Sequence, residues 1–458
     1  MLRLFLSIFL IFALFPMVFG QVEEQTDNGQ FLESVLTEAA AFLAKRDYNS
    51  ALKLFDNLPE HAASADISII HASIYNAAGK PADAKRLANA IIAQDGRNTE
   101  AIMILADAAA VENKERERRQ FLERVLSINA NHARALNDLA NINLKNQNLR
   151  GAATYFDRAL AAEPENGESL VGRASVYRYN NDFRSAERLL NRAIGLYPQW
   201  ARPLQERARL YKGAGYYGDA LEDFAAAIEI EPYNYWILVD YGQTLMEINR
   251  KKEALEILNR AISVDPETFM AYVYSAALKD ETGDYAGAET DYVKLTKLKP
   301  DYYFGFEALG IIRMRNKQWA LARDAFLDAY KQAPKEYSYA LLAAMNWMRA
   351  GRHSDPKQFL AQVLRTAPRD TLEYSMLRLY HDLSGDANVT TSIDSERNAL
   401  TKSRMLYYLA SFYDIRGSKN LAERYYLMVR DIDAAAGTLE WFLNEMALEE
   451  RGLGIRNE

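Results

Sequence analysis

Histidine and cysteine carry much of the chemistry open to a protein of this size, and this chain has little of either. It contains no cysteine, which excludes disulfides, thiolate nucleophiles, cysteine zinc sites and iron–sulfur clusters. Its five histidines are His61, His71, His132, His353 and His381. None of them stands in an HExxH motif or another close pair of metal ligands. The sequence therefore predicts no metal site and no cofactor.

Two other patterns resemble catalytic motifs but lack their required parts. The GAG at Gly213–Gly215 lacks the GK[ST] ending of a phosphate-binding loop and falls between two expected helices, not after a strand. The 62 acidic residues are scattered, and no nucleophile, base and orienting group can be nominated together. We therefore expect a protein that is not an enzyme.

Length and charge limit the fold and the partners. A chain of 458 residues is long for one compact core, which favours several domains or an elongated array. The formal net charge of −7 gives no basic field that would attract nucleic acid. A protein or peptide partner is expected, and nucleic acid is not.

The first twenty residues have the order of a secretory signal. Arg3 is the only charge, an apolar run covers residues 4–15, and Gly20 stands at a plausible cleavage position. This order predicts a signal peptide over residues 1–20 and an exported protein, periplasmic or extracellular. The alternative is an uncleaved anchor, which would be the chain's one contact with a membrane. The apolar run is shorter than the about 20 residues that a spanning helix needs.

Proline recurs at one fixed interval along most of the chain. The positions are Pro164, Pro198, Pro232, Pro266, Pro300, Pro334 and Pro368. A fixed period between about 20 and 50 residues is the signature of a repeat array. Because proline cannot continue a helix, each one is expected to mark the end of a repeated helical unit.

Small and large residues follow the same period. A small residue precedes each proline by 24 positions: Ala140, Ala174, Ala208, Gly242, Ala276, Gly310 and Ala344. A large residue precedes each proline by eight positions: Phe156, Leu190, Phe224, Leu258, Tyr292, Phe326 and Leu360. Small side chains let two helices approach closely, and the large ones fill the remaining space. The pattern predicts paired, closely packed helices.

This order of small, large and proline residues resembles the tetratricopeptide repeat. The segments GDYAGAETDYVKLTKLKP and QWALARDAFLDAYKQAP are similar to the second helix of that repeat. The resemblance covers nearly all of the chain after residue 20, with about eleven or twelve units. It implies an all-α fold: a right-handed superhelical solenoid of antiparallel helix pairs with a C-terminal capping helix, as in exported bacterial members of the family.

The domain organisation follows from these segments. It comprises a signal peptide at 1–20, a flexible linker at 21–31, a repeat solenoid at 32–383, a polar loop insertion at 384–398, and a final repeat-like unit with a capping helix at 399–458. The loop is expected because SGDANVTTSIDSERN is polar and turn-rich. The cap is expected because TLEWFLNEMALEERG is amphipathic.

The resemblance implies a binding protein, because a solenoid offers a long concave surface. We expect an interaction scaffold of the cell envelope. Two alternatives stay open: a periplasmic chaperone-like carrier of unfolded clients, and an adaptor subunit for an envelope hydrolase.

The first helix of each pair lines the concave face in this family, so its outward positions are the expected binding surface. From 133 to 234 they hold cations and amides suited to carboxylates or peptide backbone: Arg134, Asn137, Asn141, Lys145, Arg178, Arg202, Arg209 and Lys212. From 235 to 368 they become apolar and suit an amphipathic helix. The candidates there are Trp236, Met270, Phe304, Met314 and Met345, with Val239, Met246, Val273, Ile311, Leu341 and Met348 beside them. Alternatively, the cations are merely solvated and the apolar residues pack against neighbouring helices.

Overall fold

The computed structural model describes residues 27–45, 47–58 and 64–454, and these residues form 25 α-helices, one 3-10 turn and no strand. The predicted all-α fold of paired helices is confirmed. The expected signal peptide lies outside the described residues. A helix begins at Asp27, so the predicted linker at 21–31 is wrong for its last five residues. Among the described residues, no helix combines the length and the apolar character needed to cross a bilayer.

The chain divides into two compact units, with the boundary between Ile230 and Glu231. In both units odd-numbered helices up to α23 are the first helices of pairs, and even-numbered helices are the second. Unit 1 contains α1 Asp27–Ala44, α2 Tyr48–Asp56, α3 Ala65–Ala77, α4 Pro81–Gln94, α5 Thr99–Val111, α6 Glu115–Ile128, α7 Ala133–Lys145, α8 Leu149–Ala162, α9 Gly167–Tyr179, α10 Phe183–Leu196, α11 Ala201–Gly213 and α12 Tyr217–Ile230.

Unit 2 continues the same spacing and then departs from it. It contains α13 Tyr235–Glu247, α14 Lys251–Val264, α15 Met270–Glu281, α16 Tyr285–Leu298, α17 Tyr303–Arg315, α18 Trp319–Gln332, α19 Tyr337–Arg349, α20 Pro356–Thr366, α21 Leu372–Asp382, α22 Asp386–Ser395, α23 Ala399–Ile415, α24 Lys419–Arg430 and α25 Leu439–Glu449. From α3 to α21 the first helices begin 33 to 35 residues apart, nearly the interval of the prolines, whereas α23 begins 27 residues after the start of α21.

Side-chain caps start many of the first helices at the same place in the repeat. Asn98, Asn166 and Asn234 each accept a hydrogen bond from a backbone N–H three residues on. His132 takes the same role, since its Nδ1 accepts from the N–H of Ala135 at 3.3 Å. These caps satisfy backbone donors that the helix itself leaves without partners.

The turn inside each pair also repeats, because one residue there adopts a left-handed conformation. In the pairs from α3 and α4 to α19 and α20, the residues with positive φ at this turn are Gly79, Asn113, Gln147, Asn181, Gly215, Asn249, Gly283, Lys317 and Gly351, and Gly417 takes the same place between α23 and α24. A left-handed residue ends a helix and lets the chain reverse. Gly215, with a φ of 82°, explains the GAG sequence as a structural turn.

The small and large positions of the repeat pack against one another, as the sequence pattern predicts. All seven large residues are buried. A Cβ placed on Gly310 would lie 2.6 Å from Cζ of Phe326, so the phenyl ring occupies the space that the glycine leaves. Each such contact joins the two helices of one pair.

Residues 384–398 are not the predicted loop, because α22 covers Asp386–Ser395. Val389 and Ile393 lie one helical turn apart and are both buried. The hydroxyl groups of Thr390 and Thr391 donate to carbonyl groups four residues earlier. The polar side chains therefore bond along a helix whose short apolar face packs inward.

Two first helices of unit 2 are buried on every side. Residues 339–346 of α19 and 405–412 of α23 are each buried without interruption. A helix that exposes no face to water belongs to a core and not to a groove. Unit 2 is therefore more enclosed around α19 and α23 than a simple row of helix pairs would be.

Candidate functional site

Three of the predicted basic residues meet around one buried carboxylate in unit 1. Glu206 of α11 is 9% exposed. Nη1 of Arg209 donates to it, Nη2 of Arg178 lies 3.6 Å from its Oε2, and Ser175 donates to the same oxygen at 3.4 Å. Burial by itself would raise the pKa of Glu206, but the charges of Arg209, Arg178 and Arg202 outweigh it, so the pKa lies below its ordinary value.

The guanidinium groups of this cluster are also held by aromatic rings. The Arg178 guanidinium lies 4.6 Å from the ring centroid of Tyr179. Arg202 forms an ion pair with Glu168 and lies 6.0 Å from the centroid of Trp200. Such contacts orient a planar guanidinium without using up its five N–H donors. We call Arg178, Arg202, Arg209 and Glu206 the arginine cluster.

The other predicted cations of unit 1 lie in separate surroundings. Nη2 of Arg134 pairs with Oδ2 of Asp107 at 2.6 Å, and burial raises the pKa of that carboxyl even though the charge of Arg134 lowers it. Lys145 is well exposed and pairs with Glu115 at 3.3 Å. Lys212 is partly buried in the last turn of α11. The structure thus brings together only part of the predicted set.

The amides of the predicted set serve different roles. The Asn137 side chain is buried, donates to Oδ1 of Asn166 at 3.1 Å and accepts from the hydroxyl of Ser169 at 2.7 Å. It therefore joins α7 to the start of α9, and its prediction as a partner contact is wrong because its bonds face the neighbouring helix. Asn141 is partly buried on α7.

An exposed apolar row runs across three first helices of unit 2. Trp236, Met270 and Phe304 occupy equivalent repeat positions at or beside the first turns of α13, α15 and α17. Trp236 is 41% exposed, Phe304 is 50% exposed, and Met270 is partly buried. We call these three residues the apolar row.

Aromatic contacts connect the starts of these helices. The Tyr235 hydroxyl accepts from the backbone N–H of Ala271 at 2.8 Å, which joins α13 to α15. The rings of Phe269 and Tyr302 lie 6.4 Å apart, and the rings of Tyr302 and Phe304 lie 5.8 Å apart. These contacts connect the starts of α13, α15 and α17, which carry the apolar row.

The prediction is wrong for the two other methionines of the set, Met314 and Met345. They are 5% and 0% exposed, and Leu341 and Met348 are buried with them. Met314 is covered by helix α25, whose Leu443, Met446 and Ala447 line a small cavity together with Met314 and Tyr407. Met345 is covered by α23, since the Tyr407 hydroxyl lies 4.0 Å from its sulfur. The sequence gives one indication of this burial, since α19 is apolar around most of its circumference.

Polar bonds fix α25 in this position. Glu440 is 4% exposed and accepts from the hydroxyl groups of Ser338 and Tyr408. Glu445 takes several hydrogen bonds from the guanidinium of Arg430, the shortest at 2.7 Å. The predicted capping helix is present, and it also covers the first-helix surface at α19 and α23.

Two carboxylates lie on the helices that carry the apolar row, Glu307 three residues after Phe304 and Asp280 ten residues after Met270. Oε2 of Glu307 accepts from the Tyr339 hydroxyl, and burial raises the pKa of Glu307, with added repulsion from Glu440 and Glu336. Burial likewise raises the pKa of Asp280, with Arg315 as the opposing charge. Within the described residues, neither Glu307 nor Asp280 forms an ion pair at 4 Å or less.

The residues that the structure describes contain no cluster that could hold a metal ion. Such a cluster would need three or more histidine, cysteine, aspartate or glutamate side chains. The charged groups of both units instead form pairs and clusters on helix surfaces.

Comparisons with known proteins agree with the repeat. Profiles described as tetratricopeptide repeat match residues 115–167, 137–201 and 212–279. Among solved structures, one from a study of Pseudomonas aeruginosa pilF is 17% identical, with 46% of this chain and 96% of that chain covered and a TM-score of 0.36. A tetratricopeptide repeat protein from Parabacteroides merdae is 16% identical, with 54% and 98% covered and a TM-score of 0.36.

YrrB, described as a tetratricopeptide repeat protein with an unusual peptide-binding site, is 22% identical, with 40% of this chain and 95% of that chain covered and a TM-score of 0.30. The chain has no match among curated proteins. The regular helix pairs, their left-handed turns and the matched profiles lead to one conclusion. This chain carries tetratricopeptide repeats, which extend at least over residues 115–201 and 212–279.

Proposed function

We propose that this protein is an interaction scaffold of the cell envelope that binds protein or peptide partners on the first-helix faces of its repeats. The observation that carries the proposal is the arginine cluster of unit 1. Arg178, Arg202 and Arg209 keep 28%, 31% and 33% of their side chains exposed while their charges converge on Glu206. We propose that this cluster binds acidic peptide segments.

The chemistry of the cluster supports this choice. Each guanidinium has five N–H donors, and a carboxylate accepts two of them in parallel. Glu206 and the nearby rings fix the arginine side chains before a partner arrives, which lowers the entropy cost of binding. A carboxylate of a partner would use donors that point to solvent.

The cellular setting is part of the same proposal. The order of residues in the first twenty positions supports export and cleavage after Gly20. We propose that the chain performs no catalysis of its own. If it is instead a chaperone-like carrier, native co-purification will yield many clients in small amounts, and if it is an adaptor, a hydrolase will co-purify. A scaffold will yield one stoichiometric partner.

A pair of double variants tests the arginine cluster. Arg178→Gln with Arg202→Gln removes two cations of the cluster. Arg184→Gln with Arg188→Gln removes two exposed cations from the second helix α10 and serves as the matched control. Binding of a fluorescent glutamate-rich peptide is measured by anisotropy at two salt concentrations.

We expect the cluster variant to bind about tenfold or more weakly and to depend less on salt, with the control unchanged. Thermal melting of both variants checks that they fold. An equal loss of affinity in both variants would show that the peptide responds to the overall charge of the protein. No loss of affinity in either variant would remove the arginine cluster from the proposal.

A further inference from the structure

The apolar row of unit 2 lies beside a place where the chain already binds a helix. The residue one repeat after Phe304 is Ser338, and it is bonded to Glu440 of α25. At the other end of α17, the guanidinium of Arg315 lies 5.9 Å from the ring of Phe442. Helix α25 therefore takes the next position along the same surface. The residues before it, Trp236 and Phe304, stay exposed.

This arrangement indicates which kind of partner segment the surface fits. Leu443 and Met446 of α25 line a cavity with Met314 of α17 and Tyr407 of α23, while Glu449 and the ring of Phe442 are exposed. An amphipathic helix thus suits this surface at α19 and α23. Because α13, α15 and α17 continue the surface with large apolar side chains at repeat spacing, of which Trp236 and Phe304 are exposed and Met270 is partly buried, a second amphipathic helix fits there.

Two carboxylates on the helices of the apolar row indicate which charge a partner segment would carry. Asp280 and Glu307 are partly withdrawn from water on α15 and α17, and within the described residues no cation lies within 4 Å of either carboxylate. The charge of Arg315 offsets the burial of Asp280 only from beyond 4 Å, and Glu307 has the like charges of Glu440 and Glu336 near it, so a cation from a partner would stabilise both carboxylates. Lysine and arginine also lay their methylene stems along aromatic rings.

Taken together, these features lead us to infer that the surface of α13, α15 and α17 binds a cationic amphipathic helix of a partner protein. The apolar face of that helix covers Trp236, Met270 and Phe304, and its lysine or arginine side chains approach Asp280 and Glu307. The inference rests on the proposed scaffold function and gives it a second site, opposite in charge to the arginine cluster. An anionic membrane surface would be repelled by the same carboxylates.

The test uses the full chain and two designed helical peptides of roughly 18 residues, about five turns each. Both peptides carry leucine at the same helical positions, and one has lysine and the other glutamate elsewhere. Trp236→Ala with Phe304→Ala removes the two exposed rings of the apolar row. Leu321→Ala with Leu421→Ala removes two exposed apolar residues from the second helices α18 and α24 and is the matched control.

We expect the row variant to weaken binding of the lysine peptide by about tenfold or more and to leave the glutamate peptide unchanged. The control should bind both peptides as the wild type does. Asp280→Asn with Glu307→Gln should weaken binding of the lysine peptide and leave binding of the glutamate peptide unchanged. An equal affinity of the wild type and the row variant for the lysine peptide would overturn the inference, as would binding of phosphatidylserine vesicles through the row in place of the peptide.

Different experimental results would overturn the two proposals. If a glutamate-rich peptide binds through the arginine cluster and the lysine peptide does not bind, only the second site is overturned. If neither peptide binds the folded chain, the scaffold proposal itself loses its support.

Discussion

The hydroxyl of Ser338 donates a hydrogen bond to the carboxylate of Glu440, although the two residues are 102 positions apart in sequence. The bond joins the start of α19 to the first turn of α25. Because Glu440 also accepts from Tyr408 on α23, one buried carboxylate holds three helices of unit 2 together. Helix α25 is thus a part of the core and not an end cap alone.

The first prediction concerns this carboxylate. Glu440→Ala leaves the hydroxyl group of Ser338 without its acceptor, while the Tyr408 hydroxyl keeps the Ser338 carbonyl at 3.2 Å, and we expect a loss of about 1–3 kcal/mol in the unfolding free energy of unit 2. Glu440→Gln should cost less, because its amide oxygen still accepts. Urea unfolding followed by circular dichroism measures both. Equal losses in the two variants would mean that charge, and not the acceptor, matters at this position.

The second prediction concerns the close approach of Gly310 and Phe326. A Cβ at residue 310 would lie 2.6 Å from the phenyl ring, so Gly310→Ala should destabilise the protein by about 1–3 kcal/mol through overpacking. The single change Phe326→Leu should destabilise the protein by a smaller amount. The double variant should be more stable than the sum of the single changes implies. Strict additivity in thermal unfolding would contradict direct packing between the two residues.

The third prediction is a pH dependence at Glu206. Its pKa in the folded protein lies below the ordinary value of 4.5, so the stability that it contributes is present above that value and is lost as the pH falls below it. Glu206→Gln should therefore lower the unfolding free energy at pH 7, and its difference from wild type should shrink toward pH 3. Glu222→Gln, on an exposed position of α12, is the control and should change neither value.

The fourth prediction has the opposite sign and concerns Glu307. Burial raises its pKa in the folded protein, so the ionised form is unfavourable and stability is lost as the pH rises through the folded value. Glu307→Gln should raise the thermal unfolding midpoint at pH 7, because glutamine still accepts from Tyr339 without a charge. The difference should disappear below the ordinary pKa of glutamate. A lower midpoint at pH 7 would show that the charge of Glu307 stabilises the fold.

The repeated parts of the fold were predictable because their constraints are local. The proline at the end of each unit and pairs such as Gly310 and Phe326 act within a single repeat. The same reasoning located the first-helix positions, among them Arg178, Arg202 and Arg209, which the structure places near one another. It could not show that Glu206 lies between them, because many glutamates look alike in sequence.

The failures share a physical cause in contacts that the repeat does not encode. The burial of Met314 involves α25 and that of Met345 involves α23, and both helices come from later in the chain. The helix at Asp386–Ser395 could not be predicted from its polar sequence, because its serines and threonines bond to their own backbone. In both places, tertiary contacts and local side-chain bonds decide the structure in place of the periodic pattern.

The most direct test of the account is site-specific photocrosslinking in the native host. A photoreactive phenylalanine analogue replaces Tyr179 in unit 1, Phe304 in unit 2, or Leu321 on the second helix α18, all exposed positions. If partners bind through the first-helix faces, crosslinked partner proteins will appear at residues 179 and 304 and none at 321. Crosslinks of equal yield at all three positions, or at 321 alone, would contradict binding through the first-helix faces.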